Sequence, residues 1–401
     1  MADPQETATA QSSRNLYVFG FTSLFNDTAT EMAYWVLPAF LSSIGAGPAQ
    51  LGIIEGIAES VASFAQLFSG YVADLIPRRK PVVVGGYFAA NFVKPLLALA
   101  TSWPQVLAIR FVDRFSKGIR GAPRDVMLAE SVDKSRLGDA FGLNQAMDSA
   151  GAILGPLLAL LLISRIGLRG VFWMAAAPGA LCVLVALIGI KENVGARVLA
   201  RAGAKGSTAP GRAKLPSTFY YVLLVVTLFS FGNSSDMFLV LRAQSIGIPA
   251  SRAPMLGLVF NITYTLFSWP AGRFSDRFSR RGIAAAGYGV FAVVYFVFAS
   301  APSLLAVWCA MAFYGLFYAL TNPVLKALVV ESAAPEIRGR ALGIYAFVTS
   351  VATLAASLIA GQLWKRYGGT VPFYLSSGTA LISAGLLLLV GKKPSASGSG
   401  G

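Results

Sequence analysis

The sequence has no histidine, only two cysteines, and few charges: charged residues make up 13% of its 401 positions, and only 18 are acidic. Each shortage excludes something. Without histidine the side chain that ordinarily titrates near neutrality is missing, so any proton-linked chemistry must run through carboxylates. Cys182 and Cys309 fall inside separate apolar stretches, which gives neither a disulfide framework nor a metal-ligand spacing. Both read as small packing residues. There is no glycine-rich phosphate loop, no nucleophile beside a His/Asp pair and no metal cluster. ATP is therefore not the energy source, an enzyme is not indicated, and no metal or cofactor is expected.

What the chain has in excess is apolar surface. With 55% hydrophobic residues and a mean hydropathy of +0.64, it carries more than a water-soluble domain could bury, so its solvent is the lipid bilayer. Apolar segments centre on residues 17–43, 50–73, 82–102, 104–127, 138–163, 169–190, 218–241, 254–275, 283–300, 303–328, 341–363 and 371–391. Each is long enough for a helix to cross a core of roughly 30 Å. A transmembrane barrel is excluded, since its strands would alternate polar and apolar. The expected fold is all-α, with twelve transmembrane helices.

The net charge of +15 would suggest nucleic acid in a soluble protein, but here topology accounts for it and no nucleic-acid partner is expected. Basic residues gather in alternate loops: Arg78 to Lys80, Lys134 and Arg136, Lys191 to Lys214, Arg277 to Arg281, Arg338 and Arg340, Lys392 and Lys393. The intervening loops carry only Arg165, Arg169, Arg242, Arg252, Lys365 and Arg366. This bias puts both termini in the cytoplasm of an inner-membrane protein. The polar start does not read as a cleavable signal. The expected units are a tail over 1–15, a six-helix bundle over 16–190, a cytoplasmic linker over 191–216, a second bundle over 217–392, and a flexible tail over 393–401.

The two bundles repeat one another. Gly70-Tyr-Val-Ala-Asp74-Leu-Ile-Pro-Arg78-Arg79 follows the second helix, and Gly272-Arg-Phe-Ser-Asp276-Arg-Phe-Ser-Arg280-Arg281 follows the eighth. Glu130-Ser131 recurs as Glu331-Ser332. Parallel repeats of this kind enclose a site near the midplane and alternate access by rocking. The doubled GxxxDxxxRR pattern resembles the signature loop of the major facilitator superfamily, and the resemblance covers essentially the whole chain. Pro77 stands where that family usually has glycine, so the first loop is expected to turn differently. By resemblance, Asp74, Arg78, Asp276 and Arg280 form a cytoplasmic gate latch, with Gly70, Arg79, Gly272 and Arg281 completing the motif.

Arg110, Asp113, Arg114, Lys117, Arg120 and Arg124 share one face of the fourth helix at about 100° per residue. Such a strip cannot face lipid, so it should line the cavity or an interface with helices one, two and five. Arg120 and Arg124, near the cytoplasmic end, are expected to snorkel. Arg114-Phe-Ser-Lys-Gly118 resembles the superfamily's fourth-helix motif, which implies a role for Arg114 in proton transfer. Acids face the strip: Asp27 and Glu31 in helix one, beside Asn26; Glu55 and Glu59 in helix two; Asp148, with Asn144, in helix five. A first-helix pair like Asp27 and Glu31 resembles drug/proton antiporters of the superfamily, implying proton coupling by Asp27, Glu31, Arg110, Asp113 and Arg114.

In helix five, Gly151, Gly155 and Pro156 combine a close-packing pattern with a bend. They also match the core of the superfamily's antiporter signature. The second half is more neutral. Asn233 and Asp236 lie in helix seven, Asn261 in helix eight, Tyr314, Tyr318 and Asn322 along helix ten, and Tyr345, Thr349 and Thr353 along helix eleven. These faces suit an organic substrate. The reading is a monomeric secondary transporter, exporting a small organic solute against protons by rocker-switch alternating access. One rival is a carrier of organic anions, phosphate esters or metal chelates that uses the basic face of helix four. Another is a membrane sensor or enzyme on the same scaffold.

Overall fold

The computed structural model describes residues 4–46, 48–192, 214–248, 253–300 and 303–389. Most of the expected 191–216 linker and the 393–401 tail lie outside the described residues. Among the described residues there are thirteen α-helices and no strand. In the first half these are α1 (Pro4–Ser43), α2 (Pro48–Leu75), α3 (Lys80–Val93), α4 (Trp103–Glu130), α5 (Leu137–Met174) and α6 (Ala176–Gly189). A tighter 3-10 stretch, Lys94–Leu99, prolongs α3. The second half holds α7 (Ser217–Gly232), α8 (Met237–Ile246), α9 (Ala253–Arg277), α10 (Arg280–Ser300), α11 (Leu304–Ser332), α12 (Arg338–Tyr367) and α13 (Val371–Leu389).

Helices occupy the apolar segments with two departures. The start is not a separate tail, because α1 runs from Pro4. The segment expected as one helix over 218–241 is broken into α7 and α8, where Asn233-Ser-Ser-Asp236 offers polar side chains that compete for the backbone. Between the expected segments 138–163 and 169–190 the chain kinks at Gly167, whose φ of 67° sits in the left-handed region.

Among the described residues six helical stretches are long and apolar enough to cross a membrane, one of them, Lys134–Gly189, spanning both α5 and α6. Helices α1, α2, α4 and α9 do not reach that standard, and α7 stops short at Gly232. Leu160, Leu161, Ile188, Leu224, Leu305 and Leu389 stand exposed on the outer faces. So broad an apolar exterior needs hydrocarbon around it. Cys182 is buried, whereas Cys309 lies on the exposed side of α11 and does not pack as the sequence suggested.

The halves differ inside. In the second, Phe229, Tyr288, Phe291, Tyr295 and Phe317 stack into an aromatic core, with Phe229 and Tyr288 centroids 3.9 Å apart. Offset stacking adds about 0.5–1.5 kcal/mol per pair to area burial. In the first half small residues let helices touch. A side chain at Gly151 would meet the carbonyl of Leu24 and Cβ of Asp27, and one at Gly155 would meet Cβ of Glu31. The expected close-packing motif of helix five therefore presses α5 onto the acidic face of α1.

Candidate functional site

Two mirror-related joints hold the halves together at the end carrying the repeated loops. The Asp74 carboxylate, at the end of α2, accepts the backbone N–H groups of Gly339 and Arg340 at 2.8 Å, at the N-terminus of α12. The Asp276 carboxylate, at the end of α9, accepts those of Gly138 and Asp139 at 2.8 and 2.7 Å, at the N-terminus of α5. A helix N-terminus presents unpaired N–H groups and a partial positive charge, so each carboxylate meets its best backbone partner. The glycines make the approach possible. Gly70 backs onto Gly339 and Gly343, and Gly272 onto Gly138 and Gly142, so close that no Cβ would fit.

The arginines of the motif divide unevenly. Arg280 binds Asp276 at 2.7 Å and Glu331 at 2.6 Å. Its counterpart in the first half is Arg79, which is 1% exposed, binds Glu130 at 2.7 Å and donates to the carbonyl of Ala73. Arg78, expected in this place, is exposed. The first loop, which contains Pro77, has one more residue than the second between its aspartate and the arginine that pairs with the glutamate, and α3 begins at Lys80 while α10 begins at Arg280 itself. Arg281 likewise lies at the start of α10, beside the joint. Two further contacts cross between halves at this end. Lys326 of α11 reaches Asp125 of α4 at 3.2 Å, and the indole of Trp269 donates to Asp139 at 2.7 Å.

Toward the opposite end α2 and α12 diverge, leaving a cavity of about 650 Å³. Of the side chains anticipated from the sequence, it brings together Glu55, Glu59, Asn233, Tyr318, Asn322 and Tyr345, with Thr349 and Thr353 beside them. Phe64, Phe229, Phe317 and Phe347 also line it, and the sequence reading had not singled them out. No lysine or arginine is in this wall. Asn26, Lys117, Asn144, Asp148, Asp236, Asn261 and Tyr314 stand outside it. Asn26 bonds Asp27 and Asn91, Asn144 accepts from Ser23, and the Asn261 amide donates to the carbonyl of Gly257 one turn back in its own helix. Lys117 is exposed, and Tyr314 donates to Asp236 at 2.6 Å.

The basic strip of α4 faces inward and is largely neutralised. Arg110 binds Glu55 at 2.8 Å and Asp113 at 3.2 Å; Asp113 also meets Lys94 at 3.5 Å, and Arg114 lies 3.6 Å from Glu59. Lys94 was missed because it follows an apolar run, at the point where Pro95 tightens the helix and turns it inward. Arg120 and Arg124 do not snorkel. Arg120 is buried with its guanidinium 4.3 Å over the Tyr87 ring, and Arg124 grips Asp125 through two nitrogens at 3.0 and 2.8 Å. The second half covers this end of α4 through Lys326, leaving Arg120 buried and Arg124 half-buried.

The remaining acids gather along the α1–α5 seam. Asp27 of α1, which takes the Asn26 amide at 2.9 Å, neighbours Asp148 of α5, which takes the Gln145 amide at 3.4 Å. Neither has a lysine or arginine within ion-pair range among the described residues. Glu31 sits one turn along, against Gly155.

Comparison with known proteins agrees with this architecture. The family model for the Major Facilitator Superfamily matches residues 19–242 and again 221–401. The chain is 35% identical over 393 residues to an uncharacterized MFS-type transporter of Methanocaldococcus jannaschii, covering 94% of this chain and 95% of that one. It is 23% identical over 384 residues to the multidrug resistance protein MdtG of Escherichia coli, covering 92% and 93%. Among solved structures, the human organic anion transporter MFSD10 superposes with a TM-score of 0.78 at 17% identity, covering 94% of this chain and 99% of that one. The Escherichia coli fucose:proton symporter FucP superposes at 0.76 and 12% identity, covering 94% and 98%. At such identities the structural likeness speaks for the fold.

Proposed function

The chain belongs to the Major Facilitator Superfamily, a family of multi-pass membrane transporters, and from that premise we propose that it exports a small organic solute in exchange for protons. In this reading twelve segments cross the inner membrane, with α7 and α8 forming one crossing, and both termini are cytoplasmic. The protein works as a monomer. The Asp74 and Asp276 joints close the cytoplasmic side while the cavity lies open to the other, and rocking of the halves exchanges the two states.

The observation that carries proton coupling is the gathering of Asp27, Glu31 and Asp148 on the α1–α5 seam, where Gly151 and Gly155 let the two helices touch and no lysine or arginine pairs with Asp27 or Asp148 among the described residues. Acids held inside the membrane without a basic partner are the natural seat of a transported proton. Glu31 extends this group toward Arg114, whose Nε lies 3.6 Å from Glu59 and would exchange that carboxylate for another in the other state. Arg110 and Asp113 act instead as the ion network that orients Glu55. Export of an organic solute is supported by the multidrug resistance protein among the relatives and by the aromatic and amide wall of the cavity. The anion-carrier alternative is less favoured, because Arg110 and Arg114 of α4 are turned to Glu55 and Glu59 and neither arginine lines the cavity.

The test uses everted membrane vesicles with a pH-sensitive acridine dye. Adding ethidium, rhodamine and neutral organic solutes to energised vesicles should release protons for at least one of them, and Asp27→Asn or Asp148→Asn should abolish that release. Solute transport that continues at full rate in both variants, or that collapses no proton gradient, would overturn the reading.

A further inference from the structure

The interruption between α7 and α8 borders the central cavity through Asn233, and backbone groups freed there are costly unless something meets them. Asn233 departs from helical geometry at φ −98° and ψ 83°. Part of the cost is met, since its N–H donates to the carbonyl of Ser230 at 3.1 Å and that of Ser235 donates to the Ser357 hydroxyl at 2.9 Å. Three groups point to something more. The last carbonyls of α7 have no helical N–H beyond them. The side-chain Oδ1 of Asn233 is buried without a partner. Asp236 heads α8 but does not cap it; its Oδ1 instead accepts from Tyr314 at 2.6 Å and Tyr318 at 3.5 Å. Among the described residues no lysine or arginine pairs with that partly exposed carboxylate, whereas Asp113 and Glu55 of the α4 network each have one.

We propose that this break is a sodium site, formed by the Asp236 carboxylate, Asn233 Oδ1 and the carbonyl oxygens that end α7. One carboxylate among neutral oxygens leaves a single negative charge, which matches a monovalent ion; calcium would take further carboxylates, and softer metals nitrogen or sulfur. Among the described residues no cluster of acids, histidines or cysteines could hold such metals. Broken helices offer unwound carbonyls and a negative helix end to small cations for the same physical reason. Asn233 and Tyr318 also line the central cavity, so the ion reaches the site from there and its binding is linked to the cavity's shape. The site lies in the second half, apart from Asp27 and Asp148, and stands whether or not protons drive transport.

The test is sodium binding to purified full-length protein in detergent. Melting temperature is followed as sodium chloride replaces choline chloride at constant ionic strength, together with direct binding of radioactive sodium. Sodium should raise the melting temperature saturably, and potassium should do so at least tenfold more weakly. Asp236→Asn should abolish the effect, and Asn233→Leu should weaken apparent affinity tenfold or more. Asn261→Ala, whose amide serves its own helix, should leave it unchanged. Equal melting in sodium and choline, sodium binding that persists in Asp236→Asn, or stabilisation by tetraethylammonium in place of sodium would each overturn the proposal. If Asp236→Asn does not fold, Asn233→Leu decides by the same criterion.

Discussion

Asp74→Asn and Asp276→Asn, singly and together, put the two joints between the halves to a quantitative test. Each carboxylate accepts two backbone N–H groups at 2.7–2.8 Å. Hydrogen bonds to a charged acceptor contribute about 1.5–3 kcal/mol each. An asparagine keeps one acceptor oxygen but turns an NH₂ toward the second N–H, so it loses one bond outright. It also forfeits attraction to the helix N-terminus, about 0.3–1 kcal/mol. The closed state should therefore lose about 2–4 kcal/mol relative to the open one, a population shift on the order of 30- to 1000-fold. Asp276→Asn also strands Arg280, which keeps Glu331 as a partner, so the first joint should show the simpler response. The assay is the distance between spin labels at Arg78→Cys and Glu336→Cys, exposed positions in opposite halves at this end, with exposed Cys309 replaced by serine. Each single variant should populate a longer distance, and the double variant should be dominated by it. An unchanged distance distribution in the double variant would refute the role assigned to both aspartates.

Gly339→Ala should open the same end by wedging rather than by charge, since its Cβ would lie 2.5 Å from the Gly70 carbonyl; Gly361→Ala, 3.7 Å from its nearest neighbour, should not. The same spin labels read both. Arg79→Ala should lower thermal stability by about 1–3 kcal/mol by removing a buried guanidinium and its bonds to Glu130 and the Ala73 carbonyl, whereas Arg78→Ala should stay within about 0.5 kcal/mol. Equal effects in denaturation would contradict the one-residue shift in the first loop. Lys94→Met should destabilise by about 3–5 kcal/mol because buried Asp113 loses a partner, and Asp113→Leu in the same chain should recover part of it, as measured by melting of the double variant. Gly155→Ala should cost about 1–3 kcal/mol through overpacking against Glu31 and reduce transport in vesicles, because it pushes apart the seam that holds the acids.

The sequence by itself determined the solvent, the helical class and the doubling. Runs of apolar residues set the first two, because only helices satisfy their backbone within lipid, and the recurring glycine and aspartate of the loops set the third. It also placed Asp74 and Asp276 at matched points, and it marked the glycines that press α5 onto α1. Partners are another matter, since they come from residues far apart in the chain. That each aspartate caps a helix of the opposite half is invisible in a motif that names only one side of the contact. The one-residue shift from Arg78 to Arg79 depends on how the chain turns in the first loop. Lys94 looked like the end of an apolar run until Pro95 directed it toward Asp113, and Arg120 and Arg124 looked free to snorkel until α11 covered them. The polar run Asn233 to Asp236 read as part of a continuous helix because its flanks are strongly apolar. Tertiary packing decided otherwise, supplying Ser357, Tyr314 and Tyr318 as partners that make an interrupted helix tolerable inside the protein.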